Sequence, residues 1–293
     1  MANVATLPTA RAPDARSPAP EPLRIESLAD RQRRRRRLVL ALRLAVLVFL
    51  VGGWELGVRA GAIDPFFFGQ PSAIADKLVD WSVNGTSIGP LWWQVGVTIY
   101  EAGAGFLIGA VLGVLCGIAL GRNALLADVF SIYIKVANSI PRVVLGSIFI
   151  VALGLGSPSK IALAVVMVFF VVFAHAFQGV READKNLIAN ARILGATRWQ
   201  ITQAVVIPSA LSWILASLHV SFGFALVGAI VGEFLGAREG MGLLIATAQG
   251  AFDANGVFAA MIVIAVVALL AEGLLTLLEN RLLSWRPEKS AGE

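Results

Sequence analysis

Residues 189–211 read ANARILGATRWQITQAVVIPSAL. The stretch is polar and helix-forming, yet it lies between two strongly apolar runs, and that placement decides how the chain folds. Two short helices fit it. The first, about 183–194, ends at Gly195, where the lack of a Cβ suits the left-handed conformation that closes a helix. Thr197 offers a hydroxyl to cap the second. That helix carries Trp199, Ile201, Val205 and Val206 on one face to be buried, and Pro208 is expected to close it. A helix, a glycine turn and a second helix would also suit a DNA-reading module. The bracketing runs hold this one against a bilayer instead. A plain connector is the other reading, but helix–helix connections usually run ~2–8 residues. This one extends over about 181–210 with secondary structure of its own, which favours a function.

The rest of the chain explains the brackets. Of 293 residues, 57% are hydrophobic and 15% charged, and the mean hydropathy is +0.78. Soluble domains carry roughly a quarter charged residues, so the deficit points to a membrane. A helical span needs ~20 predominantly apolar residues to cross ~30 Å of hydrocarbon. Runs of that kind predict an all-α polytopic protein with six spans, at about 38–58, 91–120, 129–153 (interrupted at Pro141), 161–179, 212–236 and 257–279. A short interfacial helix is expected at 71–81, where Ile74, Leu78 and Trp81 keep helical spacing, and another at 241–252. Trp92 and Trp93 open the second span as interfacial aromatics do. Within that span lie Gly103 and then Gly105, Gly109, Gly113 and Gly117, every fourth residue on one stripe, which lets another helix approach closely.

Charge sorts by side. Residues 1–30 are rich in Pro, Ala and Ser and predict disorder, and RQRRRRR (31–37) abuts the first span. Arg181, Lys185, Arg192 and Arg198 lie on the 181–210 element, and Arg281, Arg286 and Lys289 on the tail. The expected outer segments hold Arg59, Lys77, Lys160 and Arg238. By the positive-inside rule both termini are cytoplasmic, and the net charge of +5 reflects topology rather than nucleic acid. A cleavable signal peptide ending near Ala60-Gly61-Ala62 is disfavoured by the long apolar run and the long leader before it. Cys116 is the single cysteine, a packing thiol among apolar neighbours, and no His/Cys cluster offers a metal site.

Ionisable residues inside spans are functional candidates, because burying an unpaired charge is costly. Glu101, Arg142, His175 and His219 qualify as translocation-path candidates, with Pro141 as the break that frees backbone groups beside Arg142. A guanidinium at that depth suits an anionic solute, which it can hold bidentately; an ion pair with Glu101 is the structural alternative. The histidines lie near the inner ends of their spans, where snorkelling or a backbone hydrogen bond explains them. Glu233 ends the fifth span near the outer surface, as an outer-gate candidate or a solvated helix end.

The opening stretch resembles the cytoplasmic loop of binding-protein-dependent ABC importer permeases, with its pattern of Glu-Ala-Ala, three residues, Gly, nine residues and Ile-x-Leu-Pro. Ala189, Asn190 and Ala191 stand in the triplet, Gly195 in the glycine position, and Val205, Val206, Ile207 and Pro208 in the closing motif. Ala189 replaces the glutamate. QPSAIADKL (70–78), SIPRVVLGSIFIVALGLGSPSKIAL (139–163), FALVGAIVGEFLGAREGMG (224–242) and NRLLSW (280–285) are similar to the nitrate, sulfonate and taurine branch, in which a second proline commonly stands where Arg142 is.

Composition sets apart a disordered basic leader (1–37), and the spans with the resemblance over about 60–286 predict a permease domain (38–286) followed by a cytoplasmic tail (287–293). The resemblance also implies a bacterial inner-membrane location. ATP-binding cassette subunits would grip the 181–210 loop through Ala189, Asn190, Ala191, Arg192, Gly195, Arg198, Trp199, Ile207 and Pro208, with Trp199 and Ile201 buried against the spans or the ATPase. ATP and Mg²⁺ would sit on that partner, since the chain has no GxxxxGK[ST] and binds no cofactor itself. A periplasmic or lipid-anchored binding protein would deliver a small, anionic solute, and a second permease copy would complete the path. A secondary transporter or channel for a small anion is the alternative, though no inverted repeat of broken helices is evident. An intramembrane enzyme using Glu101, His175 and His219 has no HExxH or GxSxG to support it.

Overall fold

The computed structural model describes residues 28–282. The leader's first 27 residues and the tail from 283, with Arg286 and Lys289, lie outside the described residues. All regular elements among them are helical: α1 (Leu28–Arg59), α2 (Pro65–Phe68), α3 (Pro71–Val83), α4 (Leu91–Gly121), α5 (Ala124–Ser139), a 3₁₀ turn (Arg142–Val144), α6 (Leu145–Leu153), α7 (Ser157–Arg181), α8 (Lys185–Ile193), α9 (Arg198–Ile201), a π turn (Thr202–Val206), α10 (Ile207–Leu235), α11 (Met241–Gly250) and α12 (Ala254–Leu282). Five helical stretches are long and apolar enough to cross a bilayer, and α5 with α6, bent by 73° at the Pro141 break, supplies a sixth. The expected six-span, all-helical architecture is what the chain forms.

The chain divides into two units at Gly53 and Trp54. The described part of the first is the start of α1, an arginine run followed by apolar residues, exposed from Arg33 to Val51. In the second unit α7 is the central helix, packed between α4 and α10. The glycine stripe explains the closeness. A Cβ on Gly109 would lie 2.8 Å from the Val165 carbonyl, and one on Gly117 would lie 2.7 Å from the Ala176 Cβ. Hydrophobic burial offers little between helices surrounded by lipid, so such backbone-close van der Waals packing carries the association.

The fifth span differs from its expected form. Pro208 does not close a second loop helix; α9, the π turn and α10 run on as one stretch from Arg198 to Leu235. A proline in a regular helix loses its N–H bond and its ring meets the carbonyl four residues back. Here the ladder shifts register first, with the Ile207 N–H reaching Thr202 O, and the wider turn accommodates the ring.

Outside the spans, α3 is tied to the turn before α12 by Lys77 Nζ on Asp253 Oδ2 at 2.6 Å, with the Gly256 N–H donating to Asp253 Oδ1 at 2.9 Å. Partial burial works to raise the Asp253 carboxyl, but the Lys77 hydrogen bond, the Gly256 N–H and the lysine charge outweigh it, and it titrates below its ordinary 3.8. A depressed folded-state value means stability that is present above 3.8 and lost as pH falls through the lower folded value. The pair is about one-third exposed, so it contributes roughly 1 kcal/mol at most. Thermal unfolding should therefore show a small gap between native chain and Lys77→Met at neutral pH that closes once the pH drops well below 3.8. A gap of constant size would show that Lys77 acts through its stem on Trp81, over whose ring its ammonium lies at 5.9 Å.

Candidate functional site

Two constructions stand out: the loop between α7 and α10, and a buried polar cluster at the far end of the same helices.

The loop is built by local chemistry. Asp184 caps α8, its carboxylate accepting from the Asn186 N–H at 2.7 Å. Gly195 follows at φ +83°, the left-handed turn its position suggested. Thr197 then forms a reciprocal capping box with Gln200: the Gln200 N–H donates to Thr197 Oγ1 at 3.3 Å and the Thr197 N–H to Gln200 Oε1 at 2.8 Å. Ile201 and Val206 are buried beneath this elbow with Ala183 and Val180. Ala189, Asn190, Arg192, Arg198 and Pro208 are exposed, and Ala191 and Ile207 half-buried. Trp199, expected to be buried against the spans or the ATPase, is not buried against the spans: it is 58% exposed, with the Arg122 guanidinium 5.9 Å over its ring. At the tip, Ile193 and Leu194 are 83% and 85% exposed, apolar side chains displayed on an otherwise polar loop.

At the other end, Glu233 is fully buried rather than a solvated helix end. Its carboxylate accepts from the Thr98 hydroxyl at 2.7 Å and the Gly242 N–H at 2.6 Å. Thr98 accepts in turn from the Met241 N–H at 2.9 Å, and Gln94 Oε1 from the Gly240 N–H at 2.7 Å. Side chains of α4 and α10 thus satisfy the orphan N–H groups at the start of α11. Gly240, at φ +109°, has no room for a Cβ because the Glu233 carboxyl occupies that space.

Glu101 joins this cluster. Its carboxyl faces Ser157, Glu233 and Lys160, and Oε2 is buried without a hydrogen-bond partner among the described residues. Lys160 is not on an outer turn, as its place in the sequence implied. It is fully buried, with Nζ donating to the Leu155 and Gly156 carbonyls at 2.7 and 3.3 Å. The cation facing Glu101 is therefore Lys160, whereas the Arg142 guanidinium lies 5.0 Å over the Phe170 ring. The path and gate candidates Glu101 and Glu233 meet; Arg142, His175 and His219 are not part of that meeting. His175 Nδ1 lies 2.9 Å from Val171 O, and His219 Nε2 lies 3.1 Å from Thr276 Oγ1. Lys160, Thr98 and Gln94 were missed as site residues. Gln94, Thr98 and Glu101 fall at i, i+4 and i+7, a polar stripe on an apolar helix that signals a buried network.

Residues 109–284 match the family described as "Binding-protein-dependent transport system inner membrane component". The chain is 34% identical over 198 residues to the aliphatic sulfonates transport permease protein SsuC of Bacillus subtilis, covering 68% of this chain and 72% of that protein. It is 28% identical to the riboflavin transport system permease RibX of Chloroflexus aurantiacus (82% of this chain, 88% of that one). It is 26% identical to the taurine transport system permease TauC of Escherichia coli (85% and 91%). Among solved structures, the inward-facing MetNI methionine ABC transporter aligns with a TM-score of 0.51 at 21% identity, over 66% of this chain and 92% of that one. An amino acid ABC transporter solved with histidines aligns at 0.52 and 19%, over 71% and 96%. At these identities the structural likeness speaks to fold alone.

Proposed function

The chain belongs to the family of binding-protein-dependent transport system inner membrane components, the multi-pass permeases of ABC importers; on that premise we propose how it works and what it carries. The 181–210 loop is the handle for a separate ATPase, which holds ATP and Mg²⁺ and moves the spans when it closes. What supports this is the elbow at Gly195, which displays Ile193 and Leu194 to solvent beside exposed Arg192 and Arg198. Exposed apolar side chains on a rigid turn are anchors for a partner's pocket. The loop and both termini face the cytoplasm, as the sorting of arginines favours. Two copies of the chain enclose the path, and a binding protein outside the membrane delivers the solute. The solute is a small organic anion of the sulfonate or taurine kind, named for two of the relatives. Arg142, beside the Pro141 break, is the side chain proposed to meet its anionic group. His175 and His219 are proposed to lie along the same route.

The experiment is co-purification of a candidate ATP-binding cassette ATPase with three forms of the full permease. Gly195→Ala leaves room for the added Cβ, since nothing lies within 4 Å, and costs only the strain of a positive φ, about 1 kcal/mol. Gly195→Pro cannot adopt φ +83° at all and dismantles the elbow. The native form and Gly195→Ala should retain the ATPase, and Gly195→Pro, still inserted in the membrane, should lose it at least tenfold. A native chain that captures no ATPase, or a proline variant that captures it fully, would remove the handle from the mechanism.

A further inference from the structure

Between the inner ends of α4 and α7 and the elbow lies a cavity of about 300 Å³. Three arginines line it, each from a different element: Arg122 at the end of α4, Arg192 on α8 and Arg198 opening α9. Its floor is apolar, made by Val180, Ile201 and Val206, all buried. Among the described residues that line it there is no carboxylate. All three are exposed, yet they line one concavity rather than separate faces of the loop, and they raise its potential together. Such a site is incomplete until an anion enters, and the planar fork of each guanidinium fits phosphate oxygens bidentately.

We propose that this cavity binds a phosphate group, held by Arg122, Arg192 and Arg198. The apolar floor favours the headgroup of an anionic phospholipid of the inner leaflet, whose glycerol and first methylenes would rest on Val180, Ile201 and Val206; a free phosphate is the other source of the same chemistry. The placement rests on the cytoplasmic orientation proposed for the loop. An anion there would bridge the elbow to the ends of α4 and α7, so that the loop's coupling to the spans depends on membrane composition.

The test uses the full chain purified in a neutral detergent without any ATPase. Binding of dioleoyl phosphatidylglycerol, dioleoyl phosphatidylcholine and inorganic phosphate is measured by native mass spectrometry and by thermal shift. The forms compared are the native chain, the Arg122→Gln/Arg192→Gln/Arg198→Gln variant, and Arg181→Gln as a control. Arg181 ends α7 over the Phe177 ring and does not line the cavity. Each guanidinium near a charged surface is worth about a fivefold change in affinity, so the triple variant should lose phosphatidylglycerol on the order of a hundredfold. Arg181→Gln should lose at most about fivefold. Phosphate binding that is lost in the triple variant, with no preference among lipids, supports the site with the free anion as its occupant. Equal binding of both lipids and no phosphate effect, or losses alike in the triple variant and the control, overturns it. Because no ATPase is present, failure here says nothing against the handle, which the Gly195 variants test separately. Labelling of a cysteine placed at Asn190 from the inside only checks the orientation.

Discussion

Replacing Lys160 with methionine should leave little folded permease, and replacing Glu101 with glutamine in the same chain should restore a substantial part of it. Lys160 is fully buried among two acidic side chains, Glu101 and Glu233, from two other helices. Removing one partner of a buried charged group strands the others, at a cost of ~3–5 kcal/mol. The Leu155 and Gly156 carbonyls lose the ammonium as well, at smaller cost because both residues are exposed and water can replace it. Set against a whole-protein stability of about 5–15 kcal/mol, that is decisive. Glu101→Gln lowers the acidic count of the cluster by one, and its amide offers donors toward Glu233. The two changes should therefore couple by at least ~1–2 kcal/mol. Detergent-extracted yield and melting temperature of the native, single and double variants measure it. Strict additivity would mean that Lys160 acts only as a cap on its two carbonyls and that the carboxyls do not sense it.

That cluster also marks how far the sequence could be read. Gly195 and Thr197 were legible because backbone conformation and capping are settled within a few residues, and the structure places both in their expected roles. The glycine stripe was legible because its period fixes one helix face, though not which helix would meet it. Pro208 misled. The rule that proline ends a helix is local, but the π turn ahead of it absorbs the lost bond. Lys160 misled for another reason. Counting cations by loop places a lysine by its neighbours, whereas Lys160 lies on the first turn of α7, buried between helices, with its ammonium on carbonyls of the preceding turn four and five residues earlier. The meeting of Glu101 with Glu233 depends on how α4 and α10 pack about α7, which no local pattern states. Only the polar stripe of Gln94, Thr98 and Glu101 hinted that this face of α4 had partners to find.

Two glycines of one helix should respond in opposite ways to the same change. A Cβ on Gly113 would sit 2.9 Å from the Val172 Cβ, 3.0 Å from the Phe169 carbonyl oxygen and 3.0 Å from the Phe173 nitrogen. Two of those atoms are backbone, so no rotamer of α7 relieves the contact and the helices must part. Overpacking usually costs ~1–3 kcal/mol, and a whole leucine side chain against backbone should exceed that range. Separation of α4 from α7 would also unseat the buried cluster, since Glu101 lies on the first helix and Lys160 on the second. Gly103, on the same helix, has nothing within 4 Å of an added Cβ. Leucine there meets only the surroundings and gains about 1 kcal/mol of helix propensity over glycine. Gly113→Leu should thus abolish detergent-stable protein on size exclusion, while Gly103→Leu should run like the native chain with an equal or higher melting temperature. Equal damage from both would mean that α4 is held by composition around its whole circumference. Selective damage would mean that a single stripe of glycines holds the bundle together, and that the polar cluster is only as stable as that contact allows.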